Sequence, residues 1–388
     1  MSRHAHTTSP QRWGTGFPAP MEALRCVVAA APETPTIVHD PDGIDAEITA
    51  IRHGLSLLHV PGSRLLFSVK ANRSRAVLTH LASRNIGAAV SSVAEDRAAA
   101  EAGMSPRYAT SPGLSGADLI ELHKSGTHLD IDSIDQLAAV PRHSETGLRL
   151  SVPIPRESTA RDMPWSRFGI RWEDAGERGK AQAVLKERKL RVVRLHAHVR
   201  DIGGVEDVRP LGRALAHAAR DLPEVDEVNI GGGMIRLFHH NQEAIAPVFE
   251  CLAEELARAG RPLRVLAEPG AQLVTSHGYL ITRVLSVRRH EGRQSVTVDA
   301  SAWNLAGWSR FHLAMTGADR GERWTTDLTG PTCYEKDLWF AGMATDRIEP
   351  GDLVVLRGAG AYVGSMLRVL HGLAAPGESL LGTADGAR

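Results

Sequence analysis

The chain has 388 residues, 43% of them hydrophobic, with 45 Lys and Arg balanced by 45 Asp and Glu. This length exceeds what one hydrophobic core usually supports, so two domains are expected. The balanced charge does not favour a nucleic-acid or anionic-membrane partner, and no apolar run reaches the roughly 18 residues needed to span a bilayer. Cys26, Cys251 and Cys333 lack metal-ligand or disulfide spacing, which favours a metal-free cytoplasmic protein.

The first 34 residues are polar and carry Pro and Gly, and we interpret them as an N-terminal tail that partly joins the second domain. From residue 35 to 278, short apolar runs alternate with longer amphipathic stretches. The pattern predicts strands at 35–39, 65–69, 87–91, 107–110, 128–131, 148–152, 192–199, 227–230 and 263–267. It predicts helices over about 43–57, from about 77 to Gly87, over 94–102 and 116–125, and from 133 onward.

Alternation of strands with helices indicates a parallel sheet whose strands are connected by helical crossovers. The strand number, near eight, favours a closed (β/α)8 barrel over residues 35–278, although an open doubly wound sheet also fits the pattern.

After residue 278 the pattern changes. Strands at 280–287, 294–298, 353–356 and 366–369 follow one another without helices, and residues 300–345 form a loop rich in Trp, Gly and Thr. These features predict a separate β domain over residues 279–388.

Lys70 is the first residue that can carry chemistry, because it ends the apolar run Phe67-Ser-Val-Lys70. The C-terminal ends of barrel strands form the active sites of such barrels. A lysine there is expected to be partly desolvated, which lowers its pKa and favours the neutral amine that forms Schiff bases. The alternative is a lysine whose head simply reaches solvent from a strand end.

Two further motifs follow predicted strands. Gly231-Gly232-Gly233 can bring backbone N–H groups close to a phosphate, or can be a flexible turn. Glu268 emerges from a buried strand and needs a partner, which could be a protonated pyridine nitrogen or an arginine.

A histidine pair and a cysteine complete the candidates. His196 and His198 alternate along one strand and should share a side of it, where His198 could stack on an aromatic ring or be a hydrogen-bonded core residue. Cys333 lies in a polar loop of the β domain, where its thiol could donate a proton or could be inert.

Together these motifs resemble those of the fold-type III pyridoxal-phosphate (PLP) decarboxylases, the family of ornithine, arginine and diaminopimelate decarboxylases. The resemblance runs from about residue 35 to 371 and implies an alanine racemase-like fold, a (β/α)8 barrel followed by a β-sandwich or barrel. Its motifs occur in family order at 67–72, 90–95, 132–133, 166–169, 231–233, 268–270, 330–333 and 358–366.

The resemblance implies a role for each matching residue around PLP. Lys70 would hold the cofactor as a Schiff base, His198 would stack on its ring, and Glu268 would pair with the ring nitrogen so that the ring accepts electrons. The phosphate would be contacted by Gly231, Gly232, Gly233 and Tyr362. Arg149 matches a family arginine that lies near the cofactor.

The resemblance also implies a homodimer with shared active sites. Cys333 would reach into the partner subunit and reprotonate the carbanion left by CO2 loss. Arg167 and Asp337 match a pair that bridges subunits, and Tyr334 and Asp337 would contact the amino-acid substrate.

Four departures from the family pattern involve five positions. Ala89 replaces an Asp, and Arg200-Asp201 replaces a Gly-Ser pair whose Ser helps to hold the phosphate. Arg200 could restore positive charge near the phosphate. Ala271 replaces the Arg of the E-P-G-R motif. Tyr334 replaces an acidic residue that often binds the distal amine of the substrate. The last two changes argue against plain ornithine or diaminopimelate as substrate.

The motifs therefore predict a PLP-dependent amino-acid decarboxylase with an unusual substrate in specialised metabolism. One alternative is an amino-acid racemase on the same fold, which would require a second base facing the lysine. The other is a non-catalytic binding protein similar to the antizyme inhibitors, which the changes around the phosphate would favour.

Overall fold

The computed structural model describes residues 19–152, 166–316 and 320–382, so residues 1–18 of the predicted tail and 383–388 of the predicted β domain lie outside it. The described residues form a closed parallel barrel and an eight-stranded sheet. The strands are β1 Thr36–His39, β2 Arg64–Ser68, β3 Gly87–Val90, β4 Arg107–Ala109, β5 His128–Ile131, β6 Glu145–Arg149, β7 Arg191–His196, β8 Glu227–Asn229, β9 Arg264–Ala267, β10 Gly278–His290, β11 Arg293–Val298, β12 His312–Thr316, β13 Arg323–Thr329, β14 Leu338–Asp346, β15 Leu353–Arg357 and β16 Gly377–Leu380.

The helices cover the barrel and join the two parts of the chain. They are α1 Met21–Ala29, α2 Pro41–Ser56, α3 Arg75–Ser83, α4 Val93–Glu101, α5 Gly116–Lys124, α6 Ile134–Ala139, α7 Ala175–Arg188, α8 Val205–Asp221, α9 Ile235–His240, α10 Ile245–Ala257, α11 Ala271–Val274 and α12 Ala302–Leu305. Side-chain caps begin several of them, since Ser92, Ser133 and Asp174 each accept the backbone N–H three residues later.

Strands β2 to β9 form the barrel, and β9 pairs with β2 to close it, which confirms the closed form over the open sheet. In β2 the side chains of Leu65, Leu66 and Phe67 are all buried. A parallel strand covered on both faces needs such a continuous apolar run, which is why these strands are evident in the sequence.

The second sheet has the strand order β12-β15-β10-β11-β13-β14, and β1 pairs with both β10 and β16. Strand β1 lies within the range predicted for the barrel, yet its hydrogen bonds are to this second sheet. Helix α1 lies within the predicted tail, and its fully buried Leu24 belongs to the same apolar cluster as Tyr279 and Val355.

Three elements differ from the prediction, two in the β domain and one in the barrel. The stretch 300–345 contains α12, β12, β13 and β14 rather than a continuous loop. The predicted strand at 366–369 is wrong, because short 3₁₀ turns flank residues 367–369 there. The predicted strand at 192–199 ends at His196.

Candidate active site

A cavity of about 440 Å³ opens at the C-terminal ends of the barrel strands. Its lining residues lie at or after the ends of seven barrel strands, and Tyr362 comes from the loop after β15. The structure thus brings together most of the residues singled out in the sequence: Lys70, Arg149, His198, Gly232, Gly233, Glu268 and Tyr362.

Lys70 lies in a 3₁₀ turn, Val69–Ala71, that directly follows β2. Two hydrogen bonds tie this turn to the β domain, from Tyr362 N to Ala71 O at 2.7 Å and from Asn72 Nδ2 to Gly360 O at 2.8 Å. The Lys70 side chain is exposed while Val69 and Ala71 are buried. The expected partial desolvation is therefore absent in a single chain, because the cavity that Lys70 lines is open to solvent.

Glu268 is buried at the base of the cavity, with 8% of its surface exposed. Its Oε1 accepts a hydrogen bond from Asn229 Nδ2 at 2.6 Å, and its Oε2 lies 3.9 Å from Nε2 of His196. Within the described segments no arginine lies within ion-pair distance of it. A buried carboxylate with an oxygen that lacks a hydrogen-bond donor fits a protonated ring nitrogen such as that of PLP.

The three glycines form a turn that only glycine can adopt. Gly231 and Gly233 have φ angles of +67° and +86°. A methyl group on Gly232 would lie 2.6 Å from the carbonyl oxygen of Glu268, and one on Gly231 would lie 2.4 Å from Nδ1 of His198. No side chain caps the N-terminus of α9 directly after the turn, so its N–H groups are available to a phosphate.

His198 lies just beyond the end of β7, and its Nδ1 accepts a hydrogen bond from Gly232 N at 3.2 Å. Burial, together with the positive charges of Lys70 and Arg149, lowers its pKa to about 3. A neutral, flat imidazole that lines the cavity suits stacking on a cofactor ring.

His196 also lines the cavity. It lies deeper in the barrel, 2% exposed, with Nδ1 3.4 Å from Asp130 Oδ2.

Arg149, which also lines the cavity, is held from two sides. Its Nη1 donates to Asp132 Oδ1 at 3.0 Å, and its guanidinium carbon lies 4.5 Å from the centre of the Phe168 ring. The guanidinium of Arg167 lies 4.1 Å from the same ring. The motifs at 132–133 and 166–169 therefore converge on Arg149 and fix its orientation.

Cys333 is exposed and is not among the residues that line the cavity of its own chain. Its backbone N–H donates to Nε2 of His371 at 3.1 Å. Tyr334 is 36% exposed and packs edge-on against Trp303, with ring centres 4.6 Å apart.

Asp337 is 3% exposed and is engaged entirely within its own domain. Its carboxylate accepts hydrogen bonds from Thr332 N and Oγ1, from Ser301 Oγ and from Trp303 N. These contacts hold the loop that carries Cys333. They do not support the predicted roles of Asp337 in substrate contact or in pairing with Arg167 across subunits, because both carboxylate oxygens are already occupied.

The departures from the family pattern lie mainly on the cavity wall, which Ala89, Arg200 and Ala271 all line. Asp201 instead lies 3.4 Å from the guanidinium of Arg236.

Sequence reasoning missed Asn229, which links Glu268 to the glycine turn. A polar residue within the apolar run Val228-Asn-Ile230 was the available signal.

Two features are absent from the part of the chain that the structure describes. No group of three or more His, Cys, Asp or Glu side chains has an arrangement that could hold a metal ion. No helix is both long and apolar enough to cross a membrane.

Comparison with known proteins identifies the family. Residues 47–275 match the model of the pyridoxal binding domain of pyridoxal-dependent decarboxylases. The diaminopimelate decarboxylase of Deinococcus radiodurans is 27% identical over 392 residues, covering 98% of this chain and 93% of its own. That of Helicobacter pylori is 26% identical over 325 residues, covering 78% of this chain and 80% of its own.

Solved structures share the fold. Diaminopimelate decarboxylase from M. jannaschii in complex with L-lysine superposes with a TM-score of 0.78 at 18% identity, over 91% of this chain and 88% of that chain. The lysine/ornithine decarboxylase of Vibrio vulnificus complexed with putrescine gives 0.75 at 19% identity, over 94% and 99%. These likenesses confirm the alanine racemase-like fold, and the matched cofactor domain confirms PLP as the cofactor. The chain therefore belongs to the pyridoxal-dependent decarboxylases and is a PLP-dependent amino-acid decarboxylase.

Proposed function

We propose that this enzyme decarboxylates an amino acid or amino-acid conjugate whose distal end is acidic or acylated, within specialised metabolism. The supporting observation is the charge of the site. Lys70, Arg149 and Arg200 line the described cavity, and Glu268 is the one carboxylate among its lining residues. Because Glu268 is assigned to the cofactor ring, the described lining offers no carboxylate that could pair with a distal ammonium of the substrate.

The surface beside Cys333 supports the same substrate class. Tyr334 packs on Trp303, and the guanidinium of Arg368 lies 4.5 Å from the centre of the Trp303 ring. An aromatic and cationic surface can contact an acyl or carboxylate group, whereas an ammonium is better matched by a carboxylate.

Each side chain has a defined task in this proposal. When bound, the cofactor accepts the electron pair released as CO2 departs. Lys70 would hold the cofactor, Glu268 would keep its ring nitrogen protonated, and His198 would support the ring face. Cys333, supplied by the partner subunit of a homodimer, would donate the proton that replaces CO2.

The test is CO2 release from matched compounds, with the absorbance spectrum of the purified protein recorded in parallel. Diaminopimelate, ornithine and lysine form one set, and N-acylated or citryl-linked diamino acids and acidic amino acids form the other. We expect the second set to give the higher kcat/KM, and Lys70→Ala to give no turnover. Preference for the first set would contradict the substrate proposal, and racemisation without CO2 would contradict the reaction.

Subunit mixing tests the shared site. Lys70→Ala and Cys333→Ala proteins, each impaired alone, should regain about one quarter of the wild-type activity when mixed, because half of the dimers would be mixed and each would hold one intact site of two. No recovery, with exchange of subunits verified by a tag, would place Cys333 and Lys70 of one chain in the same site.

A further inference from the structure

Three side chains of the described cavity lining, Thr110, His196 and Gln272, have buried polar atoms without a hydrogen-bond partner, and Gln272 is the amide among them. It is 2% exposed, yet neither its Nε2 nor its Oε1 has a hydrogen-bond partner among the described residues. It is the second residue of α11 and lines the cavity.

An unpaired buried amide is unfavourable, because it has lost its hydrogen bonds to water without replacing them. Nearly all buried polar groups in native proteins find partners. A carboxamide with both atoms unpaired on the wall of a binding cavity therefore indicates a group that a ligand completes.

The position of Gln272 shows at which end of the cavity a ligand would meet its amide. The turn that leads from Glu268 to Gln272 packs against the glycine turn, since a methyl group on Gly232 would lie 2.6 Å from Glu268 O. The loop of Tyr362 reaches the C-terminal end of α11, because Gly360 N donates to O of Thr275, the residue directly after this helix, at 3.3 Å. Gln272 thus lies where the glycine turn and the Tyr362 loop meet.

The chemistry of this end suits an anion bound by neutral donors. Burial raises the pKa of the Tyr362 phenol, so that its hydroxyl keeps its proton at neutral pH. The small side chain of Ala271, between Gly270 and Gln272, leaves room for a ligand to approach. An amide N–H, a phenol and the backbone of the glycine turn together form a set of donors for phosphate oxygens.

We propose that Nε2 of Gln272 donates a hydrogen bond to a phosphate oxygen of PLP. This inference rests on the cofactor assignment and adds a residue to the phosphate site that no matched motif contains.

The test compares two ligands that differ only in the phosphate. Protein freed of cofactor is titrated with PLP and with pyridoxal, and Kd is measured by absorbance. Gln272→Met keeps the length of the side chain without its amide, and Gln272→Glu keeps the shape but adds a negative charge. We expect Gln272→Met to weaken PLP binding about 10- to 100-fold, the range for a hydrogen bond to a charged group, and Gln272→Glu to weaken it further.

Pyridoxal binding should change by less than about threefold in both variants, because pyridoxal has no phosphate to lose a contact with. The exposed Gln182→Met on α7 serves as the control and should bind both ligands as the wild type does. Thermal unfolding of each variant without ligand establishes that it is folded.

Three outcomes would overturn the proposal. Equal loss of PLP and pyridoxal affinity would assign Gln272 a structural role. Unchanged PLP affinity with a raised KM would assign it to the amino-acid substrate. A folded wild-type protein that bound no PLP would overturn the cofactor assignment itself, and this inference with it.

Discussion

Nδ2 of Asn229 donates to Oε1 of Glu268 at 2.6 Å, while Oδ1 of the same side chain accepts the backbone N–H of Gly231 at 2.9 Å. Asn229 is fully buried at the end of β8. One amide therefore couples the carboxylate assigned to the cofactor ring with the turn assigned to its phosphate, so that the two contacts keep a fixed separation.

Replacing this amide with an isosteric acid tests the coupling. In Asn229→Asp, two carboxylates would face each other at hydrogen-bond distance and would repel each other when both are ionised. We expect kcat/KM to fall about 10- to 100-fold at pH 8 and to recover partly as the pH is lowered, because a protonated Asp can donate again. A pH profile parallel to that of the wild type would contradict this role.

Cys333→Ala should slow product formation by about 10²- to 10⁴-fold, the usual contribution of one acid–base group. The matched control is Cys26→Ala, since Cys26 is also exposed but lies on α1. Steady-state CO2 release and incorporation of solvent deuterium into the product measure the step. Unchanged kinetics in Cys333→Ala would remove the proposed proton donor.

Arg200→Ala should weaken PLP binding several-fold, because Arg200 lines the cavity, whereas Asp201, the other residue that replaces the Gly-Ser pair, lies beside Arg236. Arg288→Ala, at an exposed position of β10, controls for loss of a surface charge. Absorbance titration of the cofactor-free protein is the measurement. Equal PLP affinity in the two variants would show that Arg200 does not restore charge at the phosphate.

His198 should make the cofactor-free protein sensitive to acid. Its pKa is lowered to about 3 by burial, whereas the unfolded chain protonates this histidine near its ordinary value of 6.5. The unfolded state therefore binds the extra proton, and stability falls as the pH drops from 6.5 toward 3. Between pH 7 and 5, wild type should lose up to about 2 kcal/mol more than His198→Phe in urea unfolding. If the free energy of unfolding changed equally with pH in the wild type and in His198→Phe, the lowered pKa of His198 would be contradicted.

A buried charge network lies below the site and should contribute strongly to stability. Arg194 donates to Asp130 at 2.6 Å and lies 3.4 Å from Glu227, with its guanidinium 4.5 Å from the Tyr108 ring centre. Arg194→Met would remove the cation that lies between two buried carboxylates and should cost about 3–5 kcal/mol in the free energy of unfolding.

The control for this change lies on the same strand. Arg191 forms exposed ion pairs with Glu145 and Glu224, so Arg191→Met should cost about 0–1 kcal/mol. Similar losses in the two variants, measured by urea unfolding, would mean that the buried network contributes no more than a surface pair.

The parts of the fold that the sequence revealed are those with a single strong pattern. Strands such as β2 and β9 read as apolar runs because both faces are covered, and Lys70 and Glu268 are recognisable because each follows such a run. Strand β13 was missed because it is half-exposed and its residues, among them Trp324, Thr325 and Thr326, do not form an apolar run.

The site was harder to predict where it depends on tertiary contacts. The local sequence around Asp337 does not show whether its carboxylate is exposed or buried. In the structure it is buried and accepts hydrogen bonds from four donors of its own domain. The unpaired amide of Gln272 likewise follows from its surroundings, because an isolated Gln beside Ala271 is an ordinary helix residue.

The bracing of the Cys333 loop by Asp337 has a consequence for assembly. A loop that is already ordered in one chain loses little conformational entropy when a second chain docks onto it. In the proposed dimer, association would then resemble the meeting of two rigid surfaces, without a coupled folding step. Dilution would separate protomers that retain their shape and their cofactor while losing turnover, so the specific activity would report on protomer concentration.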